Sequence, residues 1–187
     1  MLWPSLRRNL LLSFAAEQIY RPVWSTTILQ ELELTELEKL KGMGVEDDEA
    51  AMRAQRLIEE MRAHFDDSEM LERDYFALEG TFDLPDPNDE HVVAAAVVSG
   101  AGAIVTENLK HFPEERLPFG TRAINPNEFL FDAIQIDTLA AARAVQQMAN
   151  RSGRFGPQLT FDDVLGELKR RYGMDDCVRL LEFGPRP

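Results

Sequence analysis

At 187 residues, 44% hydrophobic and 28% charged, the chain is long enough for one well-cored domain plus a small appendage and too apolar to be disordered. A single cysteine, Cys177, excludes an internal disulfide and a thiolate zinc site, which suits a reducing cytoplasm. A net charge of −13 argues against an open nucleic-acid-binding surface, which is normally basic.

In chain order, Pro4 suits the first turn of a helix over Ser5 to Glu17. Arg7 and Arg8 ahead of Leu10 to Ala16 have the outline of a signal peptide, but the apolar run is short and broken by Ser13. Leu6, Leu10 and Phe14 fall on one helical face, so a packed amphipathic helix and a cytoplasmic chain are the expectation. Ile19 to Trp24 reads as a connection, and Ser25 as the N-cap of a helix from Thr26 to about Leu40, ended by Gly42 and Gly44. A third helix spans Asp47 to Phe65, with Ala51, Ala54, Ile58, Met61 and Phe65 on its apolar stripe. Tyr75 to Leu78 reads as a short strand, and turn residues from Leu84 to Asn88 lead to a helix over Asp89 to Ser99. That helix is apolar on every side from Val92 to Val98, so burial on more than one face is expected.

Gly100 and Gly102 end it, and Ala103 to Thr106 and Thr121 to Ile124 read as strands. Asn125 and Pro126 open another helix. Helices alternating with short apolar strands predict an α/β fold, a mostly parallel sheet flanked by helices. After Ile136 the pattern becomes helical: Asp137 to Asn150, a linker over Arg151 to Gln158, a helix opened by Thr160 and Asp163 in a capping box and closed by Gly173, then Asp175 to Phe183. The expected organisation is a domain over 1–136 and a small helical C-terminal appendage over 137–187. No apolar stretch approaches the ~20 residues of a membrane span, so no membrane partner is expected.

The charge is unevenly spread. Glu31 to Glu90 holds 20 acidic and 6 basic residues, which accounts for the whole negative excess, whereas 151–187 is nearly neutral. Such a segment is most often solvated helix surface, and it also suits a cation or a basic partner.

The chemistry concentrates in Asp86 to Pro113. Asp86, Asn88, Asp89 and Glu90 gather at the start of the buried helix, and Thr106, Glu107 and Asn108 follow a strand end. Parallel α/β sheets place their crevice at the carboxyl ends of strands, beside helix N-termini. The two groups could therefore meet, and clustered carboxylates there commonly hold a hard divalent cation. By place alone, Asp89 and Asp86 read first as capping acids. His91 reads as a packed histidine, because no second histidine stands at ligand spacing.

This segment resembles the hallmark of the PIN domain family, which includes VapC-like toxins: an acid opens a buried Ala-rich helix, a Gly turn follows, and a strand ends in Thr-x-Asn before a Phe. Asp89, Gly100, Thr106, Asn108 and Phe112 match it. Tyr20-Arg-Pro-Val-Trp-Ser25 leading to Ile28-Leu29-Gln30-Glu31-Leu32 resembles the family's second motif, with Glu31 as its carboxylate. The helical tail is similar to the C-terminal extension of one PIN subgroup. The resemblance implies a Mg2+ or Mn2+ site with Glu31, Asp89 and Asn108 as metal residues, and catalytic roles for Glu31, Asp89, Asn108 and Thr106, Glu107 being a lesser candidate. It also implies hydrolysis of RNA phosphodiester bonds by the toxin of a type II toxin–antitoxin pair, a cognate antitoxin as partner, and a homodimer.

One family feature is absent. PIN chains open on an apolar strand bearing an aspartate, and Met1-Leu2-Trp3-Pro4 matches only the end of that motif. The expectation is weak or no activity for the chain as it stands, with a non-catalytic PIN-like module binding a protein or RNA as the alternative and a Mg2+-dependent phosphatase-like domain as a distant third. Arg7, Arg8, Arg151, Arg154, Lys169, Arg170 and Arg171 are the candidate RNA-facing cations, each equally readable as solvated charge.

Overall fold

The computed structural model describes residues 5–153 and 157–186. The expectations placed on Met1 to Pro4 and on Arg154 lie outside the described residues. In chain order the helices and strands are α1 (Ser5–Ala16), β1 (Trp24–Ser25), α2 (Thr26–Gly42), α3 (Asp47–His64), β2 (Glu69–Met70), α4 (Glu72–Tyr75), α5 (Glu90–Ser99), β3 (Ala103–Val105), β4 (Arg122–Ile124), α6 (Pro126–Ile136), α7 (Thr138–Arg151), α8 (Phe161–Tyr172) and α9 (Asp175–Phe183). They form two compact units, residues 22–124 and residues 5–21 with 125–186.

In the first unit, α2 starts because Ser25 Oγ accepts the Ile28 N–H at 3.1 Å, and Lys39 and Lys41 suit the negative end of its dipole. Helix α3 packs against it through Ala50, Ala54, Ile58 and Met61. The stripe thus begins at Ala50, one residue before the expected Ala51, because Ala50, Ala54 and Ile58 continue one four-residue ridge.

The strands are parallel, as expected for an α/β fold, in two short ladders: Trp24 to Ser25 pairs with Glu69 to Met70, and Ala103 to Val105 with Arg122 to Ile124. The strand expected at Tyr75 to Leu78 is instead α4 followed by a 3-10 turn over Phe76–Leu78. Asp74 explains the difference, since its carboxylate accepts the Leu71 N–H at 3.3 Å and starts a helical turn that the aromatic residues do not override.

Helix α5 is the axis of this unit and touches β1, β2, β3 and α4. Val93, Ala94, Ala95 and Ala96 are buried, and the small alanines let neighbouring elements approach closely. Its burial stops short of the expected Val98: Val97 and Val98 are 38% and 43% exposed. Gly100, at φ +69°, closes α5 in the left-handed conformation that favours glycine.

The second unit is all helical. Leu10 and Phe14 of α1 are fully buried with Leu130, Ile134, Val145, Leu165 and Leu181, and Leu6 packs against the same core. Helix α1 lies on α7, α7 on α8, and α6 on α9. The sequence-based caps hold in detail: Asn125 Oδ1 accepts the Asn127 N–H, and Thr160 and Asp163 exchange bonds. This unit takes in α1 and α6, so the compact units part at 124/125, whereas the sequence division was drawn at 136/137. The apolar faces of α1 and α6 are what tie them to the C-terminal helices. No helix among the described residues is long and apolar enough to cross a membrane.

Candidate metal centre

Two loops of the first unit meet where α5 begins and β3 ends. Before α5, Asp86 caps a 3-10 turn over Pro87–Asp89; its Oδ1 accepts the Asn88 N–H at 3.0 Å and the Asn88 side-chain amide at 3.1 Å. Its other oxygen, Oδ2, faces the second loop. Beyond β3, the Thr106 N–H donates to the Ile124 carbonyl at 2.9 Å, and Thr106 Oγ accepts the Asn108 N–H at 3.1 Å. A 3-10 turn over Leu109–His111 follows, and Phe112 inserts into a core with Leu84, Val93 and Ile104. The anchored Phe112 and the Thr106 turn leave His111 pointing at Asp89.

His111 Nδ1 lies 2.6 Å from Asp89 Oδ2 and 3.7 Å from Asp86 Oδ2. One ligand atom from each of Asp86, Asp89 and His111 lies within 4.8 Å of the other two. All three residues are half-buried, so the group keeps access to solvent. Two carboxylates and one imidazole are a chemically sound donor set for a divalent cation. The helix-start and strand-end segments thus come together through Asp86, Asp89 and His111.

The sequence-predicted residues separate. Asp89 stands in the cluster. Thr106 and Asn108 build the loop that carries His111, Thr106 being buried and Asn108 half-buried. Glu107 is exposed. Glu31 is outside the cluster: its carboxylate lies 3.9 Å from His91 Nε2 and is half exposed. His91 is packed, as expected, with Nδ1 2.7 Å from the buried Ser25 Oγ. Burial lowers its pKa from the ordinary value, and Asp89 opposes that shift more weakly. Glu90, grouped with the acids in the sequence, instead turns inward; its carboxylate accepts the N–H groups of Gly80, Phe82 and Leu84 at 3.1, 3.1 and 2.9 Å. That bond set shapes the 80–84 loop, a structural role.

His111 was not singled out from the sequence, although it follows Asn108 by three residues in the strand-end segment. Asp86, grouped with the helix-start carboxylates in the sequence but read first as a cap, serves as cap through Oδ1 and stands in the cluster through Oδ2.

The basic candidates are largely engaged. Arg7 and Arg8 are buried, and Arg151 donates to Ser13 Oγ at 2.8 Å. Lys169 pairs with Asp175 at 3.2 Å, and Arg170 and Arg171 both pair with Glu167. Lys110, next to His111, is exposed.

The family profile described as PIN domain matches residues 4–110, more than half of the chain. The chain belongs to the PIN domain family and is VapC-like in kind. It is similar to a Mycobacterium tuberculosis protein named "Putative ribonuclease VapC50", with 49% identity over 49 residues, or 26% of this chain and 29% of that one. The chain thus spans under a third of that relative's length. No solved structure gives a significant match. The matched profile ends one residue before His111.

Proposed function

We propose that this protein is a metal-dependent ribonuclease of the PIN type, the toxin of a toxin–antitoxin pair. The observation that carries the reading is the meeting of Asp86, Asp89 and His111 at the end of β3, in a chain of this family. Asp86 and Asp89 would hold a divalent cation, Mg2+ or Mn2+, in the cluster that His111 completes. Such a cation, when bound, supplies an activated water and neutralises charge growing on the phosphoryl oxygens.

The protein's own groups do the positioning. The Asn108 amide, on the same loop as His111, donates a hydrogen bond to the phosphate. Thr106 fixes that loop, and Lys110 meets the RNA backbone as a point charge. Glu31, half exposed beside His91, would be a further carboxylate near the ion, as the family resemblance implies. Two carboxylates are few for a hard cation, so activity should need elevated divalent ion. The acidic 31–90 segment suits a basic segment of the antitoxin better than RNA. A homodimer in the cytoplasm and a helical C-terminal extension over 137–187 complete the reading.

The test is RNA cleavage by the purified chain with Mn2+ or Mg2+. Cleavage abolished by chelation and by Asp89→Asn supports the ribonuclease. RNA or antitoxin binding without cleavage at any divalent concentration defeats it in favour of a non-catalytic PIN-like module, the reading favoured by the acidic surface.

A further inference from the structure

Resting on the metal-dependent reading above, we propose that His111 is itself a metal ligand, and that its imidazole makes the site select a first-row transition-metal dication over Mg2+. Three structural facts lead there. The ring nitrogen that faces the cluster, Nδ1, lies between the two carboxylates, 2.6 Å from Asp89 Oδ2 and 3.7 Å from Asp86 Oδ2. Donors around a common ion at about 2.1 Å stand roughly 3 to 4 Å apart, so small side-chain rotations bring all three to one centre. Asp86 also divides its oxygens: Oδ1 is committed to Asn88, and Oδ2 is left to the cluster.

The loop that carries the imidazole is built rather than adventitious. Thr106 Oγ accepts the Asn108 N–H, the His111 N–H donates to the Asn108 carbonyl at 3.0 Å, and Phe112 is buried in the core. His111 is therefore presented to Asp89 by its neighbours on both sides. Ligation through Nδ1 uses the neutral ring with its proton on Nε2.

The preference follows from donor chemistry. Mg2+ demands near-ideal octahedral oxygen ligation and gives up its waters reluctantly, whereas imidazole nitrogen suits the transition metals. A site of two carboxylate oxygens and one nitrogen thus loses more with Mg2+ than with Mn2+. A wholly structural His111, pinning the two loops by its bond to Asp89, would leave the metal preference untouched.

The discriminating experiment uses the purified metal-free chain, with Mn2+ and Mg2+ as probes at one fixed pH. Mn2+ binding is followed by electron paramagnetic resonance, with Mg2+ as competitor, for the native chain, His111→Asp and His111→Gln; circular dichroism checks that each folds. The native preference for Mn2+ over Mg2+ should fall about tenfold or more in His111→Asp, a loss of the size that metal-site substitutions produce. Electron spin-echo modulation from a directly bound nitrogen should appear in the Mn2+-loaded native chain and vanish in both variants. An unchanged Mn2+/Mg2+ ratio in folded His111→Asp, or no nitrogen modulation in the native chain, overturns the proposal. RNA cleavage is read separately: nitrogen ligation without cleavage keeps His111 as ligand and defeats the ribonuclease, while cleavage without nitrogen modulation does the reverse.

Discussion

The buried hydroxyl of Ser25 joins two elements at once: its oxygen accepts the Ile28 N–H at 3.1 Å and lies 2.7 Å from His91 Nδ1. With the oxygen already accepting from Ile28, the hydroxyl proton is best used toward Nδ1, which places the ring proton on Nε2, the atom facing Glu31. Ser25→Ala removes a helix cap and leaves a buried ring nitrogen unpaired. The expected loss is about 2 kcal/mol, read as a lower denaturant midpoint with an unchanged slope.

Acid should act on the same histidine. Burial lowers the folded-state pKa of His91 below 6.5, so above that value both states are neutral and the stabilisation is complete. As pH falls below about 6.5, the unfolded chain takes up the proton first, and stability is lost at up to about 1.4 kcal/mol per pH unit until the folded state protonates too. Glu69 adds a second, lower window. Its hydrogen-bonded pair with Arg62 lowers its pKa, so its contribution is intact above 4.5 and is lost as pH falls through its folded value. Denaturant midpoints measured from pH 7 downward should show both slopes. The upper slope should flatten in His91→Gln while the lower one stays.

Glu90→Gln tests the loop that Glu90 shapes. Gly80 and Phe82 both donate to Oε2, so an amide nitrogen there sets donor against donor. The variant should lose about 3 kcal/mol of stability by chemical denaturation. A loss under a few tenths would mean that the three bonds matter little.

Cys177 should be nearly inert in the folded protein. It is buried among the helices of the second unit, and burial together with Asp176 pushes its thiol up to about 11. A thiol reagent at neutral pH should react slowly with the native chain and at once in denaturant, because the thiolate is the nucleophile. Rapid labelling of the native chain would mean that α9 opens readily.

Local chemistry decided what could be read ahead of the structure. Ser25, Asn125 and Thr160 announced their helices because a short oxygen-bearing side chain at a helix start has one strong use. Strands β1 and β2 are two residues each, too short for any alternation to show, and only the pairing of distant segments creates them. Asp89 was legible as a member of a carboxylate group at a helix start. His111 was not, since a lone histidine has no partner at ligand spacing and gains one only when two loops converge. Glu90 belongs to the same lesson: its sequence neighbours are acids, but its bonds are to backbone that precedes it by up to ten residues.

The second unit joins one of the earliest helices of the chain to the last ones. On the ribosome, α1 emerges long before α7, the helix it lies on, so its Leu10 and Phe14 must wait without their native cover while the whole first unit is made. The first unit can complete its own core during synthesis, whereas the second can close only after α9 has emerged. A ribosome stalled before α9 would thus carry a finished 22–124 unit and an open helical one, the state in which a chaperone or protease has most to bind.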